Sequence, residues 1–245
     1  SGALTKAKRR KVWARVAAGN IDVVVGTQAL ITDEAEFDSL TFVVVDEQHR
    51  FGVHQRARIR GLGINPHVLV MTATPIPRTL ALTIYGDLDI SRIAEMPPGR
   101  LPVKTALIAP EQRAKSFAFI REQVADGRQV FVVFPLIEES ETLQVRSAEA
   151  EFERLRSDVF PQLTERIGLL HGRITNKAKS AVMKSFRDHE LDILVTTAVV
   201  EVGVDVPNAT IMMVEGAERF GLAQLHQFRG RVGRSDLQSY CLLLS

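Results

Sequence analysis

The 245 residues are 45% hydrophobic and 24% charged, which is enough apolar material for one large globular domain or two small ones. The formal net charge of +2 permits nucleic-acid binding without arguing for it, because a binding face depends on where the charge lies. The single cysteine, Cys241, excludes an internal disulfide framework and a thiolate zinc cluster, and its apolar neighbours predict a core position. With no apparent signal peptide and no apolar run as long as a membrane span, we expect a reducing cytoplasm.

The chain opens with a predicted amphipathic helix over residues 4–18 that ends at Gly19. Its apolar face comprises Val12, Trp13, Val16 and Ala17. Six basic side chains around that face are expected to be solvated: Lys6, Lys8, Arg9, Arg10, Lys11 and Arg15. A buried strand, Asp22–Val25, is predicted next and leads into Gly26 and Thr27. Glycine lets the backbone approach a ligand and threonine offers a hydroxyl and an N–H, so this segment is a candidate for phosphate contact.

The central element is a second predicted strand, Phe42–Val45, which ends abruptly in two carboxylates, Asp46 and Glu47. Its apolar, largely β-branched composition predicts burial on both faces of a parallel sheet. Open α/β sheets bind ligands at the carboxyl ends of such strands, where an Asp can hold Mg²⁺ in a nucleotide-hydrolysing core and a neighbouring Glu can orient water. An acidic pair after a strand can equally be the polar start of a loop, and these residues alone leave both interpretations open.

A short basic helix over His54–Arg60 and a buried strand over Pro66–Met71 are predicted to follow. That strand ends in Thr72-Ala73-Thr74-Pro75-Ile76-Pro77-Arg78-Thr79. Proline suits the first turn of a helix, so the segment predicts a rigid turn from a strand into a helix.

A proline-rich segment, residues 94–103 (AEMPPGRLPV), has the composition of a linker and predicts two domains, residues 1–98 and residues 99–245. In the second domain strands alternate with helices, which predicts a parallel sheet with crossovers and an α/β fold. The predicted strands are Lys104–Ile108, Val130–Phe134, Ile167–Leu170 and Ile193–Val195. The predicted helices are one entered at Pro110, with Phe117, Ile120 and Val124 on one face, and one over Asn176–Arg187, with Ala178, Val182 and Phe186 aligned.

The end of the chain carries a glycine-rich basic segment, QFRGRVGR, at residues 227–234. Glycines beside Arg231 and Arg234 free the backbone to bring two guanidinium groups together, and guanidinium forks match phosphate oxygens. Such arginines can stabilise the charge on a transferring phosphoryl group, and a basic loop that contacts nucleic acid or solvent is the alternative. Upstream, His171 begins a turn after one strand, while Thr196 and Thr197 terminate another.

Several of these segments resemble the motifs of superfamily 2 helicases and translocases, and in particular those of the RecG family of bacterial branched-DNA translocases. DEQHRFGV at 46–53 resembles motif II, TATPIPRT at 72–79 motif III, TTAVVEVGVDVPNA at 196–209 motif V, and QFRGRVGR at 227–234 motif VI. PLIEESE at 135–141 resembles a segment more specific to this family than the catalytic motifs are. The transcription-repair coupling factor has a similar motor and is the nearest alternative, but it usually has a second acid in place of Gln48.

The resemblance implies two RecA-like lobes and an ATP-dependent DNA helicase, a hydrolase that remodels stalled replication forks and Holliday junctions in DNA recombination and repair. It implies that Asp46 holds Mg²⁺, that Glu47 activates water, and that Gln48 and His49 complete the catalytic motif. By the same match Arg231 and Arg234 address the γ-phosphate of ATP. The residues implied to approach the nucleotide are Gly203, Asp205 and Gln227.

The resemblance also implies a set of residues that contact DNA or couple hydrolysis to its movement: Thr27, Thr72, Thr74, His171, Thr196 and Thr197. The implied partners are branched DNA, as forks and four-way junctions, and single-stranded DNA-binding protein. The implied location is the bacterial cytoplasm, at the nucleoid.

The phosphate-binding loop G-x-x-x-x-G-K-[ST] is missing from these 245 residues, because no glycine is followed by lysine. The family's wedge domain, adenine-reading element, motif Ia and C-terminal helical hairpin are also expected to be absent. We therefore expect a translocase fragment that does not hydrolyse ATP by itself and whose first lobe is truncated on its N-terminal side. A non-catalytic DNA-binding module is the alternative from another class.

The strand that carries the missing loop is expected between the strands that end at Asp46 and Met71. A sheet that lacks a central strand exposes backbone edges that invite pairing with another chain. The expectation is therefore a strained or rearranged first lobe, a dimer that swaps segments, or upstream residues that complete the sheet.

Overall fold

A computed structural model describes residues 5–27, 30–31, 35–47, 66–72, 89–135, 149–197 and 206–245. It divides into two compact units, Ser1–Leu80 and Ala81–Ser245, which are called the first and second units below. None of the helices in the described ranges combines the length and apolarity needed to cross a bilayer. The proline-rich segment contains neither helix nor strand and is largely exposed, and the domain boundary at residues 98 and 99 stays a prediction.

The first unit begins with helix α1, Lys6–Ala17, as the sequence predicts. The Thr5 hydroxyl accepts a hydrogen bond from the Lys8 N–H at 3.4 Å and caps the helix, which ends before Gly19 at a φ of +70°. Val16 is the buried residue of this helix, and Trp13 packs edge-on against Phe37 with ring centroids 5.7 Å apart. The apolar side of α1 is therefore narrower than its sequence suggests.

Strands β1, Phe42–Asp46, and β2, His67–Met71, pair in parallel, with Phe42 opposite His67 and Asp46 opposite Met71. Both strands are confirmed, but the prediction of burial on both faces is wrong. Val45 is 5% exposed, whereas Val44 is 51% and Leu69 46% exposed. Alternate residues of a strand point to opposite faces, so one face of this pair is covered and the other is open.

Two further expectations for the first unit are wrong. Residues Asp22–Val25 do not form a strand, and Val23 and Val25 are 76% and 89% exposed. High β-propensity makes a strand only where a neighbour supplies backbone partners, and in the described part of this unit only β1 and β2 pair. The second wrong expectation is the position of the missing strand, which was expected between β1 and β2. These two strands are direct neighbours along their whole length, so no further strand lies between them. The helix predicted at 54–60 lies outside the described residues.

The second unit contains a six-stranded, all-parallel sheet in the order β3-β8-β7-β4-β6-β5. Its strands are β3 Lys104–Ile108, β4 Gln129–Phe134, β5 Ile167–Leu170, β6 Ile193–Thr197, β7 Ala209–Val214 and β8 Tyr240–Leu244. Its α-helices are α2 Arg113–Ala125, α3 Asn176–Arg187 and α4 Leu222–Arg229. Single turns of 3₁₀-helix at Pro110–Gln112 and Ala217–Arg219 precede α2 and α4, and residues 149–166 form a helical segment that ends in π and 3₁₀ turns.

Apolar layers cover both faces of this sheet. Val130, Val132 and Phe134 of β4 belong to one layer with Phe117, Ile120 and Val124 of α2, while Phe131 and Val133 belong to the other with Phe186 of α3. Every residue of β4, β6 and β7 is buried, as parallel strands between two helical layers require. The strands and helices predicted for this unit are confirmed, and Cys241 is core: it is 1% exposed, and burial raises the pKa of its thiol to about 11.

Candidate functional site

The acid pair of the first unit stands at the carboxyl end of β1. Asp46 is the last residue of the strand and is exposed, and Glu47 follows it half-buried. The Glu47 N–H donates to the Met71 carbonyl at 2.9 Å, and the Thr72 hydroxyl donates to Glu47 Oε2 at 3.3 Å. The ends of two parallel strands thus bring two of the predicted motifs into contact, with Glu47 from one and Thr72 from the other.

The backbone of Glu47 is left-handed, with a φ of 51°. Residues other than glycine rarely adopt this conformation. Those that do often lie at functional sites, where the surrounding structure stabilises the strained backbone. Here the hydrogen bonds to Met71 and Thr72 hold the Glu47 backbone and carboxylate in place.

The carboxylate of Asp46 fits a bound Mg²⁺. The described residues contain no group of three or more His, Cys, Asp or Glu side chains that could hold a metal ion. Mg²⁺ keeps several waters and binds through one or two carboxylates together with substrate phosphates, so it does not require a cage of protein ligands. An exposed Asp at the end of a parallel strand meets that requirement.

Thr27 also belongs to the first unit and is exposed. Its carbonyl accepts a hydrogen bond from the Leu30 N–H at 2.9 Å, which closes a tight turn. Gly26 lies close to the Leu30 side chain: a Cβ on Gly26 would be 2.8 Å from Leu30 Cγ, so a larger residue there would have to displace that side chain. The backbone of this candidate DNA contact is therefore fixed locally, independently of the acid pair.

In the second unit the arginine loop, residues 230–234, follows α4. Its anchors are Phe228 and Val232, which are 6% and 3% exposed. Arg231 and Arg234 flank the second anchor and are half-buried, and Arg234 Nε donates to the Gly230 carbonyl at 3.4 Å. Gln227 lies half-buried in the last turn of α4. The convergence of the two guanidinium groups stays a prediction.

The arginine loop requires glycine at position 233, both for its backbone conformation and for lack of space. Its φ is +75°, and a Cβ there would lie 2.6 Å from Val103 Cγ2. Its N–H donates to the buried Ser239 hydroxyl at 3.1 Å. Gly230, by contrast, has an ordinary φ of −70°. Only one of the two glycines therefore has a left-handed backbone.

The residues predicted to approach DNA in the second unit lie at the carboxyl edge of its sheet. Leu170, the last residue of β5, is opposite Thr196 of β6, so His171 leaves the sheet beside Thr197. Thr196 and Thr197 are 2% and 3% exposed, and the Thr196 hydroxyl donates to the Thr197 carbonyl at 2.9 Å. His171 is half-buried, and its Nδ1 has no hydrogen-bond partner among the described residues.

An ion pair at the same edge was not predicted from the sequence. Glu215 follows β7, its N–H donates to the Val133 carbonyl at 2.9 Å, and its side chain is 6% exposed. Arg113, at the start of α2, donates through Nη2 to Glu215 Oε1 at 2.6 Å. Burial raises the pKa of Glu215, while Arg113 and Arg154 act to lower it. The only sequence signal was a carboxylate after the apolar run Ile211–Val214.

Several candidates lie outside the described residues, so the structure gives their side chains no position: Gln48, His49, Thr74, Gly203 and Asp205. All of PLIEESE beyond Pro135 lies outside as well.

Two family models match the chain in the order of its two units. The model of the DEAD/DEAH box helicase matches residues 1–83, and that of the helicase conserved C-terminal domain matches residues 114–236. The chain belongs to the helicase family.

Similarity to individual proteins extends over all 245 residues of this chain and makes the family match more specific. The chain is 53% identical over 245 residues to the ATP-dependent DNA helicase RecG of Synechocystis sp., covering 100% of this chain and 29% of that protein. It is 53% identical over 246 residues to the RecG of Aquifex aeolicus, covering 100% of this chain and 31% of that protein. A solved structure of RecG bound to a three-way DNA junction is 45% identical, with a TM-score of 0.71, and the match covers 99% of this chain and 31% of that one.

The chain therefore spans about a third of the length of the curated relatives it matches. The resemblance to the RecG motor core is confirmed, and so is the α/β, RecA-like fold with parallel sheets.

Proposed function

We propose that this chain is the motor core of an ATP-dependent DNA helicase that acts on branched DNA. The observation that carries the proposal is the contact between Glu47 and Thr72 at the carboxyl ends of two parallel strands. A carboxylate at that edge, beside an exposed Asp46, suits nucleotide hydrolysis, and the hydroxyl ties it to the segment that follows the neighbouring strand.

In this proposal Asp46 holds Mg²⁺, which would neutralise charge on the β- and γ-phosphates of ATP. Glu47 accepts a proton from the attacking water and orients it, and Gln48 and His49 complete the motif. Thr72 donates its hydroxyl hydrogen to the Glu47 carboxylate, which limits the orientations open to the base.

In the second unit Arg231 and Arg234 stabilise the charge that develops on the γ-phosphate, and Gln227, Gly203 and Asp205 contact the nucleotide. What supports this role is the anchoring of the loop by Phe228 and Val232, because a guanidinium lowers a barrier only where its backbone is held. Half-burial of both arginines also strengthens their field relative to full exposure.

Contact with DNA and coupling to hydrolysis are proposed for His171, Thr196 and Thr197 at the carboxyl edge of the second sheet, and for Thr27, Thr72 and Thr74. Because both threonines of β6 are buried, their role toward DNA is to shape the edge, while the half-buried His171 is the more accessible contact. Forks and four-way junctions are the proposed substrates, in recombination and repair at the nucleoid. Single-stranded DNA-binding protein is the proposed partner.

The 245 residues alone are proposed to be inactive. They contain no G-x-x-x-x-G-K-[ST] segment, so the backbone cradle and the lysine that bind the β- and γ-phosphates are missing from them. Activity is therefore expected of the full-length natural protein and not of this segment by itself.

The test is ATP hydrolysis by the full-length natural protein with a three-way junction and with linear duplex of equal length. We expect greater stimulation by the junction, and we expect Arg234→Ala to lower kcat by about 10³-fold, as loss of an arginine finger does. The control is Arg187→Ala, which removes an exposed arginine at the end of α3. Salt-dependent DNA binding without hydrolysis would contradict the proposal and identify a binding module instead.

A further inference from the structure

Two residues outside the helicase motifs, Gln238 and Ser239, tie the arginine loop to the end of the proline-rich segment. The Gly233 N–H donates to Ser239 Oγ at 3.1 Å, and the Ser239 carbonyl accepts from the Lys104 N–H at 2.9 Å. Gln238 Nε2 donates to the Pro102 carbonyl at 2.9 Å. Two adjacent residues, Gln238 and Ser239, therefore bind both the loop and the last residues of the segment.

Side-chain packing reinforces these hydrogen bonds. Val103, the last residue of the proline-rich segment, packs against the apolar layer that contains Val232 and Phe228. Its Cγ2 occupies the space that a side chain at Gly233 would need. Ser239 is fully buried, so an alanine there would leave the Gly233 N–H without its partner in a place that water does not reach.

We propose that Ser239 and Gln238 are positioning residues that fix the arginine loop to the end of the proline-rich segment, so that displacement of the segment displaces Arg231 and Arg234. The inference rests on the proposed function, in which these arginines act on the γ-phosphate. Neither residue touches the nucleotide in this account. Gln238 and Ser239 act indirectly, by setting the position of the two guanidinium groups in the transition state, when charge develops on the γ-phosphate.

The first test is Ser239→Ala in the full-length natural protein, measured by junction-stimulated ATP hydrolysis. We expect kcat to fall about tenfold with the KM for ATP changed less than about twofold, because the arginines stabilise the transition state more than bound ATP. The affinity for ADP with aluminium fluoride, which imitates the transferring phosphoryl group, should fall in step with kcat. The matched control is Ser235→Ala, which removes a hydroxyl from the same stretch that donates instead to the Pro207 carbonyl at 2.9 Å. This control should keep kcat.

The second variant, Gln238→Ala, removes the bond to the proline-rich segment and a bond from the same Nε2 to the Ser239 carbonyl at 3.0 Å, but it keeps the bond from the Gly233 N–H to the Ser239 hydroxyl. It also alters a side chain that is half-buried rather than buried. We expect a fall in kcat of about threefold with an unchanged melting temperature. If Ser239→Ala also lowers the melting temperature, its loss of kcat could come from lost stability. The kcat of Gln238→Ala then distinguishes positioning of the arginine loop from a purely structural role.

An active wild-type protein with wild-type kcat in Gln238→Ala would overturn the inference and leave the proposed function intact. Equal losses of melting temperature, kcat and ATP affinity in both variants would overturn it too, since they indicate a purely structural role. An inactive wild-type protein would overturn the proposed function itself.

Discussion

The two units use similar strand sequences and bury them to opposite degrees. In β4 of the second unit Val132 is 0% exposed, whereas in β1 of the first unit Val44 is 51% exposed. Both lie in runs of β-branched and aromatic residues, FVVVD in β1 and QVFVVF in β4. The difference is that helices cover both faces around β4, whereas one face of the β1–β2 pair is open. Burial is thus a property of what packs on a sheet, not of the strand itself.

The comparison is tested most strongly by two matched substitutions. Val132→Ala should cost about 2–3 kcal/mol, because it removes buried methyl groups and leaves a cavity, whereas Val44→Ala should cost less than about 1 kcal/mol. Denaturant titration separates the units, since Trp13, the only tryptophan, reports on the first and far-ultraviolet dichroism chiefly on the larger second. Equal costs at the two sites would break the comparison.

A second test uses the carboxyl edges of the two sheets, where Glu215 is buried and Asp46 is exposed. Arg113→Ala should remove the hydrogen-bonded partner of the buried Glu215 carboxylate, leaving it only the weaker attraction of Arg154. The expected cost is about 1–3 kcal/mol at about pH 8, a value discounted because Arg113 is 38% exposed. The cost should shrink at about pH 4, where the carboxyl is protonated.

The sign of this pH dependence follows from the raised pKa of Glu215, which burial causes. A carboxyl with a folded pKa above its ordinary 4.5 contributes full stability below that value and loses it as pH rises through the folded pKa. Stability should therefore fall with rising pH in the wild type, and more steeply in Arg113→Ala. The control is the double variant Arg113→Ala with Glu215→Gln, in which this component should vanish. A cost of Arg113→Ala that is independent of pH would count against the buried ion pair.

The smallest expected effect concerns the hydrogen bond from the Thr72 hydroxyl to the Glu47 carboxylate, at the carboxyl ends of β1 and β2. Thr72→Val keeps the side-chain shape but removes the donor to Glu47, so kcat for ATP hydrolysis by the full-length natural protein should fall about fivefold. The KM for ATP should stay unchanged. Thr41→Val, an exposed threonine just before β1, serves as the control. A wild-type kcat in Thr72→Val would show that the contact does not position the base.

The second unit was largely predictable because its strands and helices alternate and its helices have clear starts. Val130–Phe134 is an uninterrupted apolar run bounded by Gln129 and Pro135, and Asn176–Arg187 follows a threonine cap. The strands β7 and β8 were not assigned, because runs such as TIMMV and YCLLL do not by periodicity distinguish a strand from a buried helical turn.

The errors have a common physical origin in long-range pairing. Asp22–Val25 has strand propensity, but propensity supplies no partner strand. Sequence separation also hides the ion pair, because Arg113 and Glu215 lie 102 residues apart. The position of Asp46 and Glu47 was predictable because the end of an apolar strand is a local signal. The need for glycine at 233 depends on Val103, far away along the chain, so only the backbone freedom of that loop was foreseeable.

The most direct measurement is DNA-stimulated ATP hydrolysis by the full-length natural protein carrying Glu47→Gln, beside Glu36→Gln as a control for an exposed carboxylate of the first unit. If Glu47 is the base that activates water, kcat should fall by about 10²–10⁴-fold while ATP still binds, and the control should hydrolyse at the wild-type rate. A kcat within about twofold of wild type in Glu47→Gln would contradict the account, because the carboxylate at the end of β1 would then have no catalytic part.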